Sequence, residues 1–248
     1  MNHRILSGGL RYYDTPLGIL CLESWFAKPR GHLRNPRSFD FPVVYEVMEG
    51  VDIPGLLHDS DDRLLESLIN RARFLERGGI QVIAGSCGFM ARYQRQVAEA
   101  VSVPVVLSSL TLLPWLAIVH GPSARLGVLT ADADALGEAH LRGAGWANGM
   151  ADISIEGLQQ APEFREVILA GRRHDLNMDV IAEEVATATR RLLARGPLDA
   201  IVLECTDLSA LAGVVRDIAG LPVYDIIQAI DLAVAGQQPS SAPQEGRP

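Results

Sequence analysis

The sequence predicts an α/β protein of two pseudo-symmetric domains, each a short parallel four-stranded sheet flanked by helices, facing each other across a cleft. Three observations predict it. Shifting the chain by 118 residues aligns two segments without a gap, the mark of an internal repeat. Short apolar runs alternate with amphipathic stretches, as parallel strands covered on both faces require. Hydrophobic residues make up 48% of the 248 and charged residues 21%, a balance that suits a substantial core.

In the first half, Leu17–Leu20 and Val47–Gly50 read as strands and Arg63–Arg77 as a helix. A strand Gln81–Gly85, Cys87, an amphipathic helix and a strand Val105–Leu107 opened by Pro104 follow. The second half repeats the order. Leu126–Leu129 matches the first strand and Ser154–Gly157 the second, with helices over Ala133–Ala144 and Val180–Arg195. Under the 118-residue shift Gly78 falls on Gly196, Ile83 on Ile201, Cys87 on Cys205, Val97 on Val215 and Pro104 on Pro222. The later strands are therefore Ala200–Glu204 and Val223–Asp225. Leu110–Val119 is expected to be a buried helix linking the halves, and Ile227–Ala235 its counterpart. The domains are accordingly 1–110 plus 226–236 and 111–225. The low-complexity tail 237–248 is expected to be disordered.

The formal net charge of −8 argues against nucleic acid or an anionic membrane as partner. The apolar run Val103–Val119 is interrupted by Pro104 and Pro114 and is marginal for a span, which needs about 20 residues. Met1–Asp14 lacks the apolar run of a signal peptide. Three cysteines without such a signal suggest reduced thiols in the cytoplasm. No CxxC or HxxxH spacing is present, so no structural metal is expected. Lys28 is the single lysine and reads as loop, which makes a pyridoxal phosphate Schiff base improbable. Gly143-Ala-Gly145 follows a helix, so it is no dinucleotide fingerprint. No cofactor is expected.

In open parallel sheets, ligands bind beyond the carboxyl ends of the strands. Cys87 and Cys205 both stand there, each at a turn into a helix whose N-terminus should lower a thiol's pKa. They are the candidate catalytic residues. Cys21 matches Thr130 of the other half and reads as packing. The candidate substrate contacts are Ser86, Gly88, Phe89, Thr206 and Asp207 beside the cysteines, Thr130, and Arg34 and Asn35 of the loop Trp25–Phe41. That loop carries Lys28, Arg30, His32, Arg34 and Arg37 against the single acid Asp40. It reads as a cover for an anionic substrate or as a solvated or subunit-contacting loop. The hydroxyls of Thr130 and Thr206 are either carboxylate ligands or partners of local backbone. Glu204 and Asp207 flank Cys205, where they assist proton transfer or raise the thiol pKa. His120, His140 and His174 are expected at the surface.

At Val82-Ile83-Ala84-Gly85-Ser86-Cys87, Leu126-Gly127-Val128-Leu129-Thr130 and Leu203-Glu204-Cys205-Thr206 the sequence resembles the cofactor-independent aspartate/glutamate racemase superfamily, with its hydantoin racemases, maleate isomerases and arylmalonate decarboxylases. The resemblance spans nearly all of the chain before the tail. It implies an active site between two domains, with one cysteine from each removing and returning a proton at a carbon next to a carboxylate or carbonyl. It implies an isomerase, a racemase or epimerase acting on an amino acid such as aspartate or glutamate or on a hydantoin-like compound, with a maleate-isomerase-like or arylmalonate-decarboxylase-like enzyme or a non-catalytic small-acid binder as alternatives. Glutamate racemases commonly carry Asn-Thr after the first cysteine and Thr-His after the second. Here the pairs are Gly88-Phe89 and Thr206-Asp207, which separates this chain from that substrate pattern. The expected partner is a small anionic or carbonyl-containing substrate. Assembly as a homodimer or larger homo-oligomer is compatible with the sequence.

Overall fold

A computed structural model describes residues 8–58 and 62–237. The tail expected over 237–248 lies outside them beyond Gln237, as do the first seven residues of Met1–Asp14. The chain forms two parallel four-stranded sheets of identical order. The first takes β2-β1-β3-β4, from β1 (Leu17–Glu23), β2 (Val43–Asp52), β3 (Val82–Gly85) and β4 (Val105–Val106). The second takes β6-β5-β7-β8, from β5 (Arg125–Thr130), β6 (Asp152–Gly157), β7 (Ala200–Leu203) and β8 (Val223–Tyr224). Around them lie α1 (Ile53–His58), α2 (Asp62–Arg77), α3 (Gln94–Glu99), α4 (Leu112–His120), α5 (Glu138–Gly143), α6 (Pro162–Phe164), α7 (Met178–Leu193), α8 (Ala212–Ala219) and α9 (Ile226–Gln237). None of the described helices is long and apolar enough to cross a membrane.

Repetition extends to single hydrogen bonds. The Ile83 and Ile201 amides donate to the carbonyls of Pro104 and Pro222, at 3.0 and 2.9 Å. The Ser86 and Glu204 amides, each just before a cysteine, donate to the carbonyls of Leu20 in β1 and Leu129 in β5. Both inner strands are wholly buried, reading Val-Ile-Ala-Gly and Ala-Ile-Val-Leu, as sheets covered on both faces demand.

The halves exchange helices. α9 packs through Ile226, Ile230 and Val234 against Leu17, Ile19, Val82 and Ala84 of the first sheet. α4, which follows the first sheet, lies against β5 and β7 of the second. Where the halves meet, backbones approach closely. A Cβ at Gly143 of α5 would stand 2.1 Å from the Ala91 carbonyl oxygen, so only glycine fits there.

Several expected boundaries shift. The helix expected over Ala133–Ala144 is confined to Glu138–Gly143, because the Asp132 carboxylate accepts from the Asp134 and Ala135 amides and holds a turn there. The segment Pro162–Leu169, α6 continued as a π-helix from Arg165 to Leu169, has no counterpart among the elements expected from sequence. His140 is buried, not at the surface, with its ring edge against Phe89 at 5.0 Å between centroids.

Candidate active site

β3 and β7 deliver Cys87 and Cys205 to one cavity between the two sheets. Leu22, Ile53, Phe89, Ala131, Ile168 and Leu169 form its apolar wall, and Ser24, Arg34, Ser86, Glu204, Thr206 and Asp207 supply polar groups. The space is tight, about 20 Å³ for the centre of a water molecule, enough for one or two waters. A larger hollow of about 190 Å³ adjoins it and shares Ser24, Ile53, Ile168 and Leu169. The two apolar residues that close the π-helix thus stand between cavity and hollow, a common placement for this rare helix.

After each cysteine the chain enters a 3₁₀ segment, Gly88–Tyr93 and Thr206–Leu211. Each sulfur faces the amide two residues on, Phe89 for Cys87 and Asp207 for Cys205. The sequence suggests these amides as substrate contacts; they are turned to the thiols. The expected lowering of thiol pKa is also reversed. Burial pushes both thiols well above the ordinary value, with the carboxylates of Glu204 and Asp207 adding to the rise and the facing amides opposing it. A 3₁₀ opening aligns few peptide dipoles, and desolvation outweighs them.

The thiols differ in their company. Cys205 Sγ lies 3.5 Å from Asp207 Oδ2, and Asp207 Oδ1 lies 2.6 Å from His32 Nε2. His32 Nδ1 accepts from the Arg34 amide at 2.8 Å. With Nδ1 an acceptor, Nε2 carries the hydrogen and donates to Asp207. Burial acts to raise the Asp207 carboxyl, but the hydrogen bond from His32, with Lys28 and Cys205 contributing, holds it below the usual aspartate range. From sequence, His32 is only one of the loop cations. Its partner is 175 residues away, and nothing local marks the pair.

Glu204 is fully buried. Its Oε2 accepts the Thr130 hydroxyl at 2.6 Å, while Oε1 has no hydrogen-bond partner among the described residues. Desolvation lifts its carboxyl to about 7, against the pull of the Thr130 hydroxyl and the Ala131 amide. A Cβ on Gly88 would meet Glu204 Oε1 at 2.1 Å and its carbonyl oxygen at 2.2 Å. The glycine after Cys87 is what lets this carboxyl reach the first half.

The other expected contacts divide. Ser86, Gly88, Phe89, Thr206, Asp207 and Arg34 line the cavity. The Thr206 hydroxyl, however, donates to the Ser86 carbonyl at 2.6 Å, tying the halves together, and Ser86 Oγ accepts from the Leu22 amide. Arg34 Nη1 donates to the Leu22 carbonyl and Ser24 Oγ. Two expectations are corrected. Thr130 is fully buried off the cavity lining, its hydroxyl engaged by the Glu204 carboxyl. Asn35 holds the loop, accepting from the Arg37 amide and donating to the Lys28 carbonyl. Cys21 is fully buried against the α9 core with its thiol pushed up to about 11, chiefly by burial.

The family described as Asp/Glu/Hydantoin racemase matches residues 42–231. A dimethylsulfoniopropionate lyase from Durusdinium sp. clade D is 28% identical over 89% of this chain and 74% of its own length. Dimethylsulfoniopropionate lyase 3 of Emiliania huxleyi is 28% identical over 86% of this chain, which spans 58% of that relative. In fold, the chain is similar to Picrophilus torridus aspartate racemase, with a TM-score of 0.57, 15% identity and coverage of 90% and 93% of the two chains. It is also similar to unliganded arylmalonate decarboxylase, with a TM-score of 0.54, 18% identity and coverage of 94% and 98%.

Proposed function

The chain belongs to the Asp/Glu/Hydantoin racemase family, and on that premise we propose that it is a cofactor-independent enzyme that removes a proton from the carbon next to a carboxylate. Its reaction is elimination from a sulfonium propionate of the dimethylsulfoniopropionate type. The observation that carries this reading is the make-up of the cavity: two thiols, an apolar wall, one guanidinium and one carboxylate held ionised. A zwitterion with methyl groups on its cationic end matches that set. The lyase names of the relatives support the same choice.

Arg34 uses only Nη1 for the loop, so its remaining N–H donors serve the substrate carboxylate. Asp207 and the apolar wall receive the dimethylsulfonium end. Cys205 is the base. Its sulfur takes the α-proton as the S–H proton passes to Asp207 Oδ2, 3.5 Å away, so no free thiolate of raised pKa is required. The C–H electron pair becomes the carbon–carbon double bond. The β-carbon–sulfur bond breaks with its pair going to sulfur, and dimethyl sulfide and acrylate leave. Asp207 then returns its proton to solvent.

One observation favours a second reading. Cys87 opens on the same cavity, and elimination needs one base whereas inversion needs two, one on each face. Racemisation of an amino acid or hydantoin is that second reading. Incubation in D₂O separates them. With dimethylsulfoniopropionate, elimination gives dimethyl sulfide in the headspace and acrylate by NMR. With aspartate, glutamate or hydantoins, racemisation gives α-deuterium uptake into both enantiomers. Deuterium uptake without sulfide release assigns the racemase reading; absence of both removes carbon-acid chemistry altogether.

A further inference from the structure

We propose that Glu204 is a further catalytic residue: a neutral carboxylic acid whose Oε1–H donates a hydrogen bond to the carboxylate oxygen on which charge gathers as the α-proton leaves. The inference rests on the carbon-acid chemistry proposed for this cavity and deepens it.

Removing a proton next to a carboxylate places a second negative charge on that group. Such an intermediate needs donors already aimed at the oxygen where charge develops. The Phe89 and Asp207 amides face the two sulfurs and the Thr206 hydroxyl bonds to Ser86. Beside the Arg34 guanidinium, Glu204 is a second group in the cavity able to donate. It lines the cavity, is wholly buried, and has one oxygen with no partner among the described residues. The Thr130 hydroxyl donates to Oε2, which makes Oε2 the carbonyl-like acceptor and leaves the acidic hydrogen to Oε1. An unpartnered buried oxygen is costly; a substrate oxygen would satisfy it.

Burial, with the charge of Asp207 adding to it, favours the neutral form of Glu204. Asp207 and the two thiols share its cavity, and Asp207 adds to the rise of its pKa. Arg34 lines the same cavity, and Lys28 and His32 act on Asp207. A carboxyl titrating near 7 keeps its proton below neutrality. An acid held neutral by its surroundings is an established way to stabilise an enolate oxygen. Its neutrality also removes one of the two carboxylate charges that oppose the thiols.

The test is infrared difference spectroscopy on the full chain between pH 5 and 9, with acrylate as the probe ligand. The expected result is a protonated-carboxylic-acid carbonyl band that fades as pH rises through about 7, shifts when acrylate is added at pH 6, and is missing in Glu204→Gln. Absence of the band at pH 6, or a band blind to acrylate, overturns the proposal whether or not any substrate is turned over. Kinetics add a second arm. At pH 6 Glu204→Gln, which retains an N–H donor, stays within about tenfold of the wild type, while Glu204→Leu loses about 10²–10³ in kcat with KM little changed. Equal activity of the Leu and Gln variants, both folded by circular dichroism, overturns it too. A protein with the expected spectra and no turnover of sulfonium propionate refutes the substrate assignment and leaves the acid in place.

Discussion

The two halves share strand order, register and the hydrogen bonds around each cysteine, yet they equip the cysteines differently. Each sulfur faces a backbone amide, and Cys87 is followed by Gly88. Cys205 stands between two carboxyl groups, one that titrates near pH 7 and one held ionised through His32. The backbone of a repeat is constrained by the sheet it builds, so it stays alike. The residues that follow the strands lie beyond the hydrogen-bond ladder that builds the sheet, so they can diverge where it cannot. The cavity therefore has a working side and a lesser side, and mutations on the two sides should differ in their effect.

The largest effect is expected from the cysteines. In sulfonium elimination, Cys205→Ser loses about 10²–10⁴ in kcat, while Cys87→Ser stays within about tenfold. Equal loss in both restores the symmetry and assigns two-base racemisation. Steady-state rates with dimethylsulfoniopropionate and with amino acids decide it.

Next comes the group that distinguishes Cys205 from Cys87. His32→Ala is expected to cost about 10² in kcat, the lower range for assisted proton transfer. His32 is a positioning residue acting through Asp207, so a pH profile is the telling readout. Without the His32 bond the Asp207 carboxyl rises, and the acid limb of kcat moves to higher pH. Rate loss with an unmoved limb would reduce His32 to packing.

Glu204 should be visible in stability alone. Its folded pKa of about 7 lies above the ordinary value of 4.5. The stability linked to it is full below about pH 4.5 and is lost as pH rises through about 7, up to about 3 kcal/mol in all. Urea midpoints at pH 5 and 8 should differ more in the wild type than in Glu204→Gln. Parallel midpoints in the two proteins would show that the carboxyl is ionised throughout.

How much of this is legible in the sequence follows the same division. The repeat, the succession of strands along the chain and the position of Cys87 and Cys205 after matched strands rest on backbone periodicity, and a shift of one chain against itself displays them; the order of strands within each sheet does not follow from it. The inward face of a parallel strand also reads as uniformly apolar, so Glu204 in Leu203-Glu204-Cys205 stands out only as a neighbour of the cysteine. What decides its state is burial, which spacing does not encode. The His32–Asp207 pair joins a loop of one half to a turn of the other, and no local rule links residues so distant. Asn35 and Thr130 mislead for a related reason: each is a polar side chain near the right strand end, and each is used by nearby structure. The thiol pKa expectation weighs a helix terminus without the desolvation that overrides it.

Gly88 is where the difference between the halves becomes a matter of packing. The second half has Thr206 at the equivalent place, with its hydroxyl on the Ser86 carbonyl. The first half cannot accept any side chain there, because a Cβ would fall 2.1 Å from Glu204 Oε1 and 2.2 Å from its backbone oxygen. Gly88→Ala is therefore expected to cost about 1–3 kcal/mol by overpacking, read from urea midpoints. Gly213, in α8, supplies the contrast, since a Cβ placed there would meet nothing within 4 Å. Gly213→Ala should gain about 0.5–1 kcal/mol from the lower entropy of the unfolded chain. If Gly88→Ala were as benign as Gly213→Ala, Glu204 would have room to withdraw, and the close approach that sets the first half apart from the second would not be a constraint.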